Sequence, residues 1–223
     1  YFIGNSVTDT INYSGLQSLA KSRDHRHLWG RHTIPGAPLQ WIWEHADEGF
    51  QKPPFGHYPY ALKRFTWDAI CLQPFDRRLE GDNGDIAMAK NFIHLAVGKS
   101  PNVQVYVYGR WPRKDKDGTL DFARAWSRDY SDQAHGSNET RDFFERLAVE
   151  LRRSCPELTK PVLLVPVGHV MHELDRRLKS GIMPGISGVG ELYTDQIHLN
   201  PAGSYLVACT FFATLYGEDP REL

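Results

Sequence analysis

Cysteine is scarce in this chain, with three in 223 residues, and Cys71, Cys155 and Cys209 share no metal-ligand spacing. An odd, scattered set excludes a disulfide framework, and the three read as small core residues. An excess of charge of either sign is also missing: 26 Lys+Arg oppose 27 Asp+Glu, a formal net charge of −1. That balance leaves no electrostatic footprint for nucleic acid or for an anionic membrane surface. Long apolar runs are lacking too. The longest, Val162–Val167 and Tyr205–Tyr216 with its threonines, fall short of the ~20 residues of a membrane-spanning helix. Several chemical signatures are absent as well. There is no G-x-S-x-G elbow, and Gly98-Lys99-Ser100 has Ile93 where the first glycine of a phosphate loop belongs. The histidines in His25-Arg26-His27, with His32, and in His169-Val170-Met171-His172-Glu173 lack zincin spacing, so neither metal nor other cofactor is expected.

What is present is a chain of single-domain length, 41 % hydrophobic, able to bury about 70 % of its unfolded surface. Five strand-length segments are read at Tyr1–Gly4, His27–Thr33, Trp67–Leu72, Val103–Gly109 and Val162–Gly168. The last three are near-continuous apolar runs without alternation, the pattern of parallel strands covered on both faces. Helical periods fall between them, at Gly15–Lys21, Leu39–Glu48, Asp85–Val97, Arg141–Arg153 and Val170–Lys179, and Pro201–Tyr216 closes the chain. Such alternation predicts βαβ units. In Arg141–Arg153 the residues Phe143, Phe144, Leu147, Ala148 and Leu151 share a face, with Ser137 or Asn138 as expected cap. For the last helix Asn200 is the expected N-cap, Pro201 the first helical residue and Gly217 the left-handed stop. Gly49–Thr66 and Pro112–Gly136 read as long irregular segments. The chain opens directly in a strand, with neither a charged n-region nor an initiator Met, which predicts a truncated first strand. An export signal upstream would make the protein secreted or periplasmic; compartment and oligomeric state stay open.

Two short segments carry chemistry. Gly4-Asn5-Ser6 puts a serine at the carboxyl end of the first strand, where open α/β sheets form their ligand crevice. A serine hydroxyl is too weak an acid to attack unaided and needs a base. Asp195 and His198, three residues apart before the last helix, supply one: a carboxylate on Nδ1 fixes the tautomer and leaves Nε2 to take the hydroxyl proton.

In order and distance, Gly4-Asn5-Ser6 and Asp195-x-x-His198 resemble the first and last blocks of the SGNH (GDSL-like) hydrolase superfamily. Ile34-Pro35-Gly36-Ala37 resembles the block whose glycine N–H serves the oxyanion hole. Gln73 stands where the superfamily usually carries an Asn as third oxyanion donor, and Asn5 replaces the commoner Asp beside the serine. The Gln73 departure suggests a divergent branch, which the loop residues described below mark as carbohydrate-esterase-like. The resemblance spans the chain and implies one domain over residues 1–223, with a flavodoxin-like three-layer α/β/α sandwich around a five-stranded parallel sheet. It also implies ester hydrolysis through an acyl-enzyme, with Ser6, His198 and Asp195 as triad and Ser6, Gly36 and Gln73 around the oxyanion.

Substrate is read from the loops. Arg110 and Trp111 leave the fourth strand on the active-site side and, with Asn5, are expected substrate contacts. Loop tryptophans favour a sugar ring, so the expected substrate is a small-molecule, oligo- or polysaccharide ester carrying acetyl or another small acyl group. Phe50, Phe55, Tyr58 and Tyr60 would instead build an acyl-chain groove in a lipid esterase or thioesterase. A further alternative is a catalytically silent glycan-binding protein on the same fold.

Overall fold

A buried parallel strand must be apolar toward both helical layers, and the apolar runs of this chain meet that demand. In chain order the strands are β1 (Phe2–Gly4), β2 (Arg31–Thr33), β3 (Phe50–Gln51), β4 (Ala69–Leu72), β5 (Gln104–Tyr108) and β6 (Leu163–Val165). The computed structural model describes residues 1–131, 140–183 and 185–221. Its sheet runs β3-β2-β1-β4-β5-β6, with β3 antiparallel to β2 and every other neighbouring pair parallel. The five expected strands thus form the parallel body, and the two exposed residues of β3 add a sixth at the edge.

The helices are α1 (Tyr13–Ser22), α2 (Leu39–Glu44), α3 (Tyr58–Arg64), α4 (Asp85–Val97), α5 (Phe122–Trp126), α6 (Arg141–Ser154), α7 (Val167–Lys179) and α8 (Pro201–Tyr216). They fall into two packed groups: α1, α5, α7 and α8 in one, α2, α3, α4 and α6 in the other. Rings lock the first group to the sheet. Phe211 of α8 meets Phe2 of β1 at 5.9 Å and Tyr108 of β5 at 4.9 Å between ring centroids. In the second group Trp43, Tyr58 and Phe92 pack together, with Phe92 5.1 Å from Trp43 and 4.9 Å from Tyr58. Among the described residues no helix is long and apolar enough to cross a membrane.

Helix ends follow local chemistry. Asn200 caps α8 by accepting from the Gly203 N–H, Pro201 opens it, and Gly217 closes it at φ 69°. The α6 cap is Thr140, whose Oγ1 accepts from the Phe143 N–H; Ser137 and Asn138, the expected caps, lie outside the described residues. The two segments expected to be irregular each hold a short helix, α3 and α5. Pro59 sits in the first turn of α3, where its missing N–H costs nothing. β6 is shorter than expected and passes straight into α7, which begins three residues early at Val167.

This topology fixes where a ligand can sit. From β1 the chain steps outward to β2, then crosses back to β4 on the other side of β1. The carboxyl ends of β1 and β4 therefore flank the switch point at which sheets of this kind open a crevice. Ser6 leaves one of these strands and Gln73 the other.

Candidate active site

β1 ends at Gly4, and the chain turns at once into a single 3-10 turn, Thr8–Ile11. A glycine is required there: a Cβ on Gly4 would lie 2.1 Å from Thr8 Oγ1 and 2.7 Å from Gln73 Cβ. The close approach lets the fully buried Gln73 side chain brace the turn. Its Oε1 accepts from the Asn5 N–H at 3.1 Å and from Thr8 Oγ1 at 3.1 Å, while its Nε2 donates to the Pro74 carbonyl at 2.7 Å. Asn5 is equally buried and equally engaged. Its Nδ2 donates to the Ala37 carbonyl at 3.1 Å and its Oδ1 accepts from the Val7 N–H at 3.0 Å, tying the serine turn to the Gly36 turn.

Ser6, left half-buried between these anchors, faces the turn before α8. His198 Nε2 lies 2.9 Å from Ser6 Oγ, and His198 Nδ1 lies 2.7 Å from Asp195 Oδ2. The second oxygen of Asp195 accepts from the N–H groups of Ile197 and His198, both at 2.7 Å. Burial pushes the Asp195 carboxyl up, but these two N–H groups and the imidazole outweigh it and hold the group down at about 2. An ionised carboxylate on Nδ1 places the imidazole proton there and leaves Nε2 a base toward Ser6. The line is open to solvent, with the side chains of His198 and Asp195 exposed to 40 % and 54 %.

Gly36 occupies an exposed left-handed position, φ 71°, with nothing near its missing Cβ. Among the described residues no acceptor takes the N–H of Ser6 or of Gly36. Two unused donors, on turns joined by the Asn5 amide, can meet a developing oxyanion. The fully buried Gln73 amide nitrogen gives one of its two N–H groups to the Pro74 carbonyl. Among the described residues no group of three or more His, Cys, Asp or Glu side chains could hold a metal ion.

Asn5, Arg110 and Trp111, the expected substrate contacts, are all fully buried and bond within the protein. The chain turns inward after β5, and Trp111 Nε1 donates to the Ile197 carbonyl at 2.8 Å. The Arg110 guanidinium lies 4.9 Å from the Phe75 ring and donates to the Trp111 carbonyl. Phe55, expected in an acyl groove, packs on Phe65 and Trp67 instead. Thr8 was not singled out from the sequence, although a small hydroxyl two residues beyond the serine is the type of group that can bond Gln73.

No protein-family model and no curated protein matches the sequence. Solved structures do match. A DUF4886 family protein from Bacteroides uniformis superposes with a TM-score of 0.64 at 16 % identity, covering 99 % of this chain and 83 % of that one. A protein described as a GDSL-like lipase, from Parabacteroides merdae, gives a TM-score of 0.53 at 14 % identity over 97 % of this chain and 94 % of its own. The fold is shared with these two proteins. At such identities the likeness speaks for architecture, and the chemistry rests on this chain's own residues.

Proposed function

We propose that the chain is a divergent serine esterase of the SGNH type that hydrolyses small acyl esters. The observation that carries the reading is the hydrogen-bonded line from Ser6 Oγ through His198 to Asp195. Ser6 Oγ attacks the ester carbonyl as its proton passes to His198 Nε2, and the carbonyl oxygen becomes an oxyanion facing the N–H groups of Ser6 and Gly36. Collapse breaks the bond to the leaving alcohol, which takes the proton from His198. Water, deprotonated by the same nitrogen, then releases the acid and restores Ser6. Each oxyanion donor lowers the barrier by about 3 kcal/mol.

An acetylated carbohydrate is the substrate class we favour. An open line with both partners of Ser6 about half exposed leaves room for a bulky hydrated alcohol. Trp41, 44 % exposed on α2 just beyond the Gly36 turn, stacks on His45 and leaves part of its ring to solvent. The test is a comparison of p-nitrophenyl acetate with longer acyl chains, and of acetylated oligosaccharides with lysophospholipid. A fluorophosphonate should label Ser6, and Ser6→Ala should lose both labelling and at least ~10³-fold in kcat. An unchanged rate in Ser6→Ala would end the serine reading. Preference for long acyl chains would move the chain to the lipid esterases.

A further inference from the structure

We infer that Trp111 is a positioning residue for the acid end of the triad, acting through the two peptide groups that hold Asp195. The Asp195 carboxylate oxygen Oδ1 accepts from the N–H of Ile197 and the N–H of His198. Each N–H belongs to a rigid plane whose other polar atom is the carbonyl of the preceding residue. The Gln196 carbonyl, in the plane of the Ile197 N–H, accepts from the Lys114 N–H at 2.9 Å. The Ile197 carbonyl, in the plane of the His198 N–H, accepts from Trp111 Nε1 at 2.8 Å. Both donors to the carboxylate are therefore fixed from behind by one short segment leaving β5.

The surroundings make that segment a firm anchor. Trp111 is fully buried, with its ring 6.3 Å from Tyr108 of β5. Tyr193, at the head of the turn, donates its hydroxyl to the Pro112 carbonyl at 2.9 Å and carries the Lys114 ammonium over its ring. The turn itself is exposed at Asp195, and its internal ties are short-range: the Thr194 N–H and Oγ1 both donate to the His198 carbonyl. A plane free to rock would point its N–H away from Oδ1 and let the carboxylate swing off Nδ1. The indole N–H prevents this by linking an exposed turn to the end of a central strand.

The inference rests on the esterase reading, and its test separates the two. Trp111→Phe keeps most of the ring and deletes the N–H. With p-nitrophenyl acetate we expect kcat to fall about tenfold, with KM held within about twofold. The proton resonance of His198 Nδ1–H, read without any substrate, should shift or broaden. In an Asp195→Asn background the same change should have little further effect, because its path runs through the carboxylate. Should Trp111→Phe fail to fold, Lys114→Pro deletes the other anchoring N–H and carries the same expectations. A variant that loses only thermal stability, with kcat and the His198 resonance as in wild type, overturns the inference. So does full additivity in the Asp195→Asn background. If Ser6→Ala retains the wild-type rate the esterase reading falls instead, while the resonance still decides whether Trp111 positions the turn.

Discussion

Asp195 is more than half exposed, yet its carboxyl is held at about 2, and the reason is the density of donors around it. Two backbone N–H groups on one oxygen and the imidazole on the other favour the anion over its burial cost. The group is consequently ionised above about pH 4 and adds no break of its own to a rate profile in the neutral range. Asp195→Asn should lower thermal stability modestly, since the amide oxygen can still accept from the two N–H groups but the favoured charge is lost. It should lower kcat by about 10³–10⁴-fold, because an amide that donates to Nδ1 selects the wrong tautomer. Stopped assays with p-nitrophenyl acetate beside a thermal melt check both halves. A loss below tenfold would mean that His198 is oriented by its backbone alone. The residues with the clearest sequence signal, Ser6, Asp195 and His198, are those whose chemistry depends on type and spacing. Asn5, Arg110 and Trp111 carry groups a ligand could equally have used, and only packing shows that Asn5 and Trp111 face carbonyls of the protein.

At the scale of elements, the exit of β1 is where sequence and function are most tightly coupled. Gly4, Thr8 and Gln73 occupy one small volume, so the serine turn is stacked on the end of β4 rather than suspended above it. Gly4→Ala puts a methyl group 2.1 Å from Thr8 Oγ1 and 2.8 Å from Gln73 Oε1. Relief requires the turn to shift, at roughly 1–3 kcal/mol of stability, and Ser6 would move off His198. Thermal melts and fluorophosphonate labelling of Gly4→Ala should fall together; normal labelling at lowered stability would separate the turn from the site. The same scale explains what could be read from the sequence. β4 and β5 and the long helices α4, α6 and α8 announce themselves because burial on both faces, or on one stripe, is written in runs and periods. β3, α3 and α5 are two to seven residues long and too short to hold without tertiary support. Trp126 of α5 shows that support, with its ring packed so closely over Gly168 that a Cβ there would lie 2.2 Å away.

Over the whole molecule, the groups whose ionisation is displaced chiefly by burial include Asp85, His27 and His32, and they oppose each other in sign. Asp85, the first residue of α4, is fully buried, and among the described residues neither carboxyl oxygen has a hydrogen-bond partner. Burial pushes it up to about 7, only partly offset by Arg77 and Arg110 and reinforced by Asp76. Its folded value exceeds its unfolded one, so its contribution to stability is complete below about pH 4. That contribution drains away as pH rises toward 7, at ~1.4 kcal/mol per unit, or roughly 4 kcal/mol in all. His27 and His32 behave in the opposite sense. Burial lowers both to about 4, so they favour the fold above about pH 6.5 and withdraw that support as the medium becomes more acid. His32 makes the cost concrete: its Nδ1 accepts from the Tyr58 N–H, and a proton there removes the acceptor that ties α3 to β2. Wild-type stability should accordingly vary less with pH than any one group demands. Asp85→Asn removes one side of the balance and keeps the shape. Its Tm relative to wild type should rise by several degrees between pH 4.5 and pH 8, while wild type and variant both lose stability toward acid through the two histidines. A gap between the two melts that does not change with pH would show that Asp85 keeps one protonation state across the range, and that Arg77 and Arg110 hold it ionised against its burial.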